Sequence, residues 1–283
     1  MTPETLGGGA DLVILGVSIG AGLLGALGGV GGGLIIVPAL IILFGIDIQL
    51  AAGASIVAVI ATSSGAAATF VREGLANLRI GMFLELATTT GAVVGALLAG
   101  MVAPSLLMGL LGVILLGSAG MQLLRLGDPP GGDQPPAPGR LRLVGEYHSV
   151  RLQRTVPYGS RHVPLGVGVM WLAGIVSGML GIGSGALKVL AMDGVMRLPM
   201  KVSSATSNFM IGVTAAASAG IYLARGDVDA TLAAPVAVGV LIGAIVGSRL
   251  LPRLSNRTVR LVFTPVLALI AVELLLRAAG VRI

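Results

Sequence analysis

The sequence predicts an all-α polytopic integral membrane protein built from two homologous halves. Hydrophobic residues make up 55% of the 283 residues, charged residues make up only 11%, and apolar stretches recur along the chain. A soluble domain carries about 25% charged residues because its surface faces water. With a mean hydropathy of +1.00, the composition excludes an ordinary soluble enzyme, a disordered protein and a nucleic-acid-binding domain.

Ten apolar segments are arranged five on each side of a polar stretch. They cover residues 11–27, 34–46, 50–71, 80–103, 106–124, 163–180, 186–195, 202–224, 230–251 and 259–278. A membrane helix needs about 20 apolar residues, so segments 34–46 and 186–195 are too short to cross. Each of these two follows a glycine cluster, and we expect about 8–10 membrane segments that include glycine-broken half-helices.

The polar stretch divides the chain into a first transmembrane repeat (1–124), a linker (125–162) and a second transmembrane repeat (163–283). The linker contains GDPPGGDQPPAPG, a composition typical of connectors. The basic residues that follow have room for a short strand or hairpin, and we interpret the whole linker as a solvated connector. His148 and His162 lie there without metal-ligand spacing, so no metal and no cofactor are expected.

The two halves match when one is shifted by 152 residues. The matching pairs are Gly22 and Gly174, Gly29 and Gly181, Gly31 and Gly183, Gly33 and Gly185, Ser55 and Ser207, Gly74 and Gly226, Gly91 and Gly243, and Gly95 and Gly247. Secondary transporters are often built from such repeats, with the substrate site at glycine-interrupted segments. The last two pairs form GxxxG motifs, which we interpret as helix-packing positions.

The distribution of positive charge predicts the orientation of the halves. If every segment crosses, the second half is inverted, and 14 of the 18 Lys and Arg lie on the linker side. Three lie on the other side and Lys188 lies in the membrane. If the two short segments do not cross, the halves are parallel and the counts are 11 and 6. The positive-inside rule favours inverted halves with the linker in the cytoplasm.

The two glycine clusters are the first candidate site residues. They contain Gly31, Gly32 and Gly33 in the first half and Gly183, Ser184 and Gly185 in the second. Each glycine costs a helix about 1 kcal/mol relative to alanine, and broken backbone in a bilayer requires a protein-lined or water-filled cavity. The short helices that follow would direct free N–H groups at an anion. Close packing of helices through small residues is the alternative interpretation.

Polar side chains inside the apolar segments complete the candidate site. Lys188 lies three residues after Gly185 and would supply a cation for an anionic substrate, although snorkelling or an ion pair with Asp193 is an alternative. Hydroxyl and amide groups follow in both halves, namely Ser55, Thr206, Ser207 and Asn208. Such groups suit a small oxyanion, and they equally suit contacts between helices.

Three acidic residues are weaker candidates for exchange of a coupling proton. They are Glu85, Asp193 and Glu273. A membrane carboxylate can exchange a proton when burial disfavours its charge. Since Glu85 lies only six residues after Arg79, we expect it near the membrane interface.

The sequence resembles the sulfite exporter TauE/SafE family of membrane proteins. The resemblance rests on GGVGGGLIIVPAL in the first half and on GIGSGALKVLAMDGVMRLPMKVSSATSNFMIGVTA in the second. It implies two related halves and transport of sulfur-containing anions such as sulfite, sulfoacetate and related organosulfonates. It also implies that the glycine loops, Ser55, Lys188, Thr206, Ser207 and Asn208 form the substrate site.

The expected function is export of sulfite or small organosulfonate anions across the bacterial inner (cytoplasmic) membrane by a secondary transporter that is not an enzyme. The alternatives are a transporter of another small anion, such as a carboxylate, and a membrane scaffold without transport activity. The expected partners are a small sulfur-containing anion and the lipid bilayer, without nucleic acid, and a homodimer is left open.

Overall fold

The computed structural model describes residues 8–28, 31–124, 143–149, 154–254 and 256–280. In the first half these residues form five helices: α1 (Gly8–Gly28), α2 (Gly33–Phe44), α3 (Ile48–Arg72), α4 (Leu78–Ala99) and α5 (Pro104–Leu124). A hairpin of β1 (Val144–Ser149) and β2 (Arg154–Gly159) follows. The second half forms α6 (Val163–Leu180), α7 (Gly185–Val189), a π-helix (Leu190–Val195), α8 (Met200–Arg225), α9 (Ala230–Leu250), a 3-10 turn (Leu251–Arg253) and α10 (Asn256–Ala278).

The all-α polytopic fold class is confirmed. Six of the described helices are long and apolar enough to cross a membrane, and α1, α2 and α5 contain shorter apolar stretches. Large apolar side chains lie exposed on the outer faces of the helices, as expected of a lipid-facing surface; Leu86 is 73% and Leu269 is 72% exposed. The predicted segment 80–103 ends earlier in the structure, because Gly100 follows α4 and Pro104 begins α5.

The elements of the two halves correspond at the offset of 152 residues. Helix α2 corresponds to α7 together with the π-helix, and each of the other four helices has one counterpart. Matching caps start α4 and α9: Asn77 Oδ1 accepts a hydrogen bond from Ile80 N at 3.0 Å, and Asp229 Oδ1 accepts one from Thr231 N at 2.8 Å. Both are residue types that favour the first position before a helix.

The helices of each half pack mainly against helices of the other half, an arrangement that we call crosswise packing. Helix α1 packs along α9, and α4 packs along α6. Gly91 and Gly95 of α4 face the backbone of α6 so closely that an added Cβ would overlap the carbonyl oxygens of Trp171 and Ile175. Gly243 of α9 faces Ile19 of α1 in the same way. The interpretation of the GxxxG motifs as packing positions is therefore confirmed.

The contacts also give the relative directions of the helices. Position 53 of α3 lies beside 227 and position 63 lies beside 212, so α3 runs antiparallel to α8, its counterpart. Position 109 of α5 lies beside 278 and position 112 lies beside 275, so α5 and α10 are also antiparallel. The orientation of the halves in a membrane stays a prediction.

The hairpin in the linker packs against the helices. Tyr147, Val156 and Tyr158 are buried in one apolar cluster with Ile80 and Met196. These three side chains alternate onto one face of the two strands, and that face packs on the helices. The interpretation of the linker as a wholly solvated connector is therefore wrong for this face of the hairpin. Residues 125–142, which include the Pro- and Gly-rich part, lie outside the described residues.

Candidate functional site

Left-handed backbone breaks the chain at equivalent points of the two halves. The φ angles are 74° at Gly31, 69° at Gly32, 73° at Gly183 and 55° at Ser184. Glycine adopts this region without penalty, but a serine does so only where the surrounding structure holds it. Ser184 is 1% exposed, and its hydroxyl donates to the carbonyl oxygen of Gly183 at 2.8 Å.

The two glycine loops meet between α3 and α8. A Cβ at Gly31 would lie 2.9 Å from Ile211 Cγ2, and one at Gly183 would lie 2.6 Å from the same atom. The Cβ at Gly183 would also lie 2.7 Å from Val59 Cγ1. Val59 and Ile211 are counterparts at the 152-residue offset, so the repeat brings both loops to one central point.

The broken ends of α1 and α6 are satisfied by side chains of α8. Asn208 Nδ2 donates to the carbonyl oxygen of Ala26 at 3.1 Å, and Ser204 Oγ donates to that of Leu27 at 3.2 Å. At the equivalent end of α6, Tyr222 Oη contacts the carbonyl oxygens of residues 178 and 179 at 2.9 and 3.1 Å. These four carbonyl groups are therefore hydrogen-bonded, as buried backbone in a membrane requires.

The predicted serines lie beside the loops. A Cβ at Gly33 would lie 2.6 Å from Ser55 Oγ, and Ser207 Oγ donates to the carbonyl oxygen of Gly185 at 3.3 Å. Ser55 is fully buried, and its hydroxyl has no hydrogen-bond partner within the described ranges. The Oδ1 atom of Asn208 is likewise buried and unpartnered there. A free buried acceptor or donor of this kind is unusual and needs an explanation.

The predicted site residue Thr206 is engaged elsewhere. Its Oγ1 accepts a hydrogen bond from the backbone N of Asn77 at 2.9 Å, at the start of α4. The Asn77 side chain caps that helix and also donates to Tyr158 Oη of the hairpin at 3.0 Å. Thr206 therefore joins α8 to the α4 cap and the hairpin, and the structure does not place its hydroxyl at the glycine loops.

Lys188 is the buried cation of the site. It is 0% exposed, and its Nζ lies 3.3 Å from Glu85 Oε2 and donates to Thr214 Oγ1. Thr214 lies three residues after Ile211, on the next turn of α8 from the point where the loops meet. Its ion-pair partner is Glu85 of the first half, and not Asp193.

Glu85 is held in place by several hydroxyl groups. Its Oε2 accepts from Thr88 and its Oε1 from Thr89, both at 3.0 Å, and Oε1 also accepts from Thr214. Glu85 is 4% exposed, so its carboxylate lies inside the helix bundle, while its expected position near the membrane interface stays a prediction. It lies six residues after Arg79, which corresponds to about 9 Å along the helix axis.

The other two acidic candidates have different surroundings. Glu273 Oε1 accepts from Arg277 Nε at 2.9 Å, and Arg277 Nη1 donates to the carbonyl oxygen of Ile41 at 3.2 Å. This pair caps the end of α2. Asp193 lies half-buried in the π-helix and makes its own interactions there. Neither carboxylate is hydrogen-bonded to Lys188.

Sequence reasoning identified Lys188 but missed its environment. The signal was present: Glu85 is followed by threonines at i+3 and i+4, a spacing that places their hydroxyls over the same helix face. What the sequence does not give is the contact between α4 and α7, which joins residues 103 positions apart.

The comparison with known proteins agrees with this architecture. Residues 14–274 match the family described as Sulfite exporter TauE/SafE. The chain belongs to this family. The resemblance to this family that the two glycine motifs indicated is thereby confirmed. The chain is a polytopic membrane protein of a transporter family.

Two relatives from Bacillus subtilis strain 168 match along almost their whole length. "Probable membrane transporter protein YunE" is 25% identical over 278 residues, which cover 93% of this chain and 96% of the relative. "Probable membrane transporter protein YdhB" is 30% identical over 261 residues, which cover 91% and 97%. No solved structure matches the chain significantly.

Proposed function

We propose that the protein is a secondary transporter that exports sulfite or small organosulfonate anions, such as sulfoacetate, across the bacterial cytoplasmic membrane. The observation that carries the proposal is the fully buried Lys188, which donates to Thr214 Oγ1 and lies three residues after Gly185 of the second glycine loop. Ionisable groups inside a membrane are costly and commonly mark a substrate path. An ammonium group there selects for an anion.

The first half supports the proposal with uncharged donors. Helix α2 begins at Gly33, and the positive end of its dipole points to the region of the loops. The buried and unpartnered hydroxyl of Ser55 is aimed at the same residue. Backbone N–H groups and hydroxyls bind a tetrahedral oxyanion at several oxygens without adding another buried charge.

A carboxylate is the second candidate substrate. Lys188 already binds the carboxylate of Glu85, so the same ammonium group is able to bind a small carboxylate anion of similar size. Competition between sulfonates and carboxylates for transport distinguishes the two candidates. We propose no catalytic activity for either.

Flux into inverted proteoliposomes tests the proposal. We expect concentrative or downhill movement of sulfite and sulfoacetate by the wild-type protein, and loss of it in the double variant Glu85→Gln/Lys188→Met. The double variant avoids leaving one buried charge unpaired, which would destabilise the fold. Ile36→Met alters the counterpart of Lys188 without removing a charge and is the matched control. Unchanged flux in the double variant would refute the role of Lys188.

We further propose inverted halves with the linker in the cytoplasm. Antiparallel packing of α3 with α8 and of α5 with α10 supports the inversion of the second half. The distribution of Lys and Arg supports the placement of the linker on the cytoplasmic side. The chain has no cysteine, so single cysteines report accessibility cleanly. In cells, His148→Cys in the linker should not react with a membrane-impermeant thiol reagent. Ser105→Cys lies at the end of α5 away from the linker and should react; both positions are exposed. The reverse pattern would contradict the proposal.

A further inference from the structure

The ion pair between Glu85 and Lys188 limits how an anion can enter the site. Both side chains are buried, with 0% of Lys188 and 5% of the Glu85 side chain exposed. The pair is neutral as it stands. A monovalent anion added to it would leave one uncompensated negative charge inside the bundle, which is strongly unfavourable away from water.

On the basis of the proposed function, we infer that each anion binds together with one proton. The anion takes the place of the Glu85 carboxylate on Lys188 Nζ, and the released carboxylate takes up the proton. The N–H···O contact to Glu85 breaks, one to the anion forms, and an O–H bond forms on Glu85. The sum of charges in the site is then zero before and after a monovalent anion binds.

The surroundings of Glu85 suit a carboxyl group that changes protonation in place. Thr88 and Thr89 belong to the same helix as Glu85, so they hold its oxygens whether or not Lys188 is in contact. A hydroxyl both donates and accepts, so either threonine can reverse its bond and accept the proton of a neutral carboxyl group. Thr214 bridges the two charged groups and is able to follow either of them.

Few other charges face the pair. The remaining charged residues described on α4, α7, the π-helix and α8 are Arg79, Asp193, Lys201 and Arg225, and α6 carries none. Arg79 is exposed at the start of α4, and Arg225 is bound to Asp227 at the far end of α8. Asp193 and Lys201 have interactions of their own. Neutralisation at the site itself therefore falls to Glu85.

The charge balance fixes a property of the transport cycle. Both the empty and the loaded site are neutral, so transport of a monovalent anion moves one proton with it and carries no net charge. The membrane potential then neither drives nor opposes export. Export is then driven by the combined concentration gradients of the anion and of the proton that moves with it.

Isethionate, a monovalent sulfonate, is the probe that tests this inference. In proteoliposomes containing a pH-sensitive dye, wild-type flux should acidify the receiving compartment by about one proton per anion, and clamping the voltage with potassium and valinomycin should not change the rate. In Glu85→Gln the proton movement should disappear and the rate should depend on voltage. Glu273→Gln removes a carboxylate that is bound to Arg277 and should behave like the wild type.

A binding measurement separates the inference from the proposed function. Calorimetric titration of the detergent-solubilised protein with isethionate, in buffers of different ionisation enthalpy, counts the protons taken up on binding. Flux or binding without proton uptake by the wild type would overturn the coupling and leave the transport proposal standing. Proton-linked binding without flux would overturn the transport proposal and support the coupling. Neither binding nor flux of any tested anion would overturn both.

Discussion

The two glycine loops have similar backbones and very different surroundings. Around the second loop, Lys188, Glu85 and Thr214 form a charged and hydroxyl-rich cluster. The residues at the equivalent positions around the first loop are Ile36, Ala237 and Thr62. Within the described part of the chain, Thr62 donates to its own helix alone, at the carbonyl oxygen of residue 58. Both halves thus contain the break in the backbone, whereas the buried charged pair occurs only beside the second glycine loop.

Each of these half-sites is built from both halves of the chain. The charged cluster takes α7 and α8 from the second half and α4 from the first, because α4 packs crosswise on α6. The equivalent apolar positions take α2 and α3 from the first half and α9 from the second. A substitution in either half therefore affects a site that also belongs to the other half.

The largest difference between the half-sites should appear on removing the charge. Lys188→Met leaves Glu85 buried without its partner and should destabilise the protein by about 3–5 kcal/mol, whereas Ile36→Met at the apolar position should cost less than about 1.5 kcal/mol. Thermal unfolding in detergent measures both. The double variant Glu85→Gln/Lys188→Met should recover most of the loss. Equal stability of the single and double variants would show that the ion pair is not formed.

A smaller difference should appear in the left-handed positions. Ser184 has a φ of 55° where the other half has Gly32, so Ser184→Gly should stabilise the protein by about 1 kcal/mol by removing strain. Gly32→Ala should destabilise it by a similar amount, because an alanine is strained at the positive φ of this position. The added Cβ would lie 3.3 Å from Thr62 Oγ1, so a steric clash adds little to this strain. Unfolding temperatures of the two variants should move in opposite directions. A stabilised Gly32→Ala would contradict this reading of the backbone.

The smallest difference should appear in the helix caps and depends on pH. The hydrogen bond from Thr231 lowers the pKa of Asp229 below its usual range. The contribution of the ionised Asp229 carboxylate to the stability of α9 is therefore present at neutral pH. It is lost as the pH falls through this lowered value, because the protonated cap accepts less strongly. The stability difference between the wild type and Asp229→Ala should therefore shrink in acid.

The equivalent residue Asn77 does not titrate and serves as the control. The stability difference for Asn77→Ala, which also loses the bond to Tyr158 Oη, should be the same at neutral and acid pH. A difference for Asp229→Ala that stays constant with pH would show that the carboxylate does not stabilise α9.

Much of the fold could be predicted from the sequence, because local signals determine it. Apolar length gave the spans, Asn77 and Asp229 mark the starts of α4 and α9, and glycine clusters mark the two breaks. The 152-residue repeat aligns the elements of the two halves. These features depend on residues that are close together in the chain.

The site was predicted less completely, because its contacts are long-range. Nothing near Lys188 in the chain indicates that Glu85 is its partner, and nothing near Thr206 indicates that it binds the cap of α4. The inner face of the hairpin was missed because its alternation is only a few residues long. Each of these contacts follows from how helices of the two halves pack, which periodicity does not specify.

The crosswise packing has a consequence for synthesis of the protein. Helix α1 finds its main packing surface on α9 and α4 finds its own on α6, and both of these surfaces are made after the linker. While the ribosome is still translating the linker, the glycine faces of α4 and the carboxylate of Glu85 have no partners from the second half. The newly inserted first half must therefore wait in the bilayer, incompletely folded, until the rest of the chain arrives to close it.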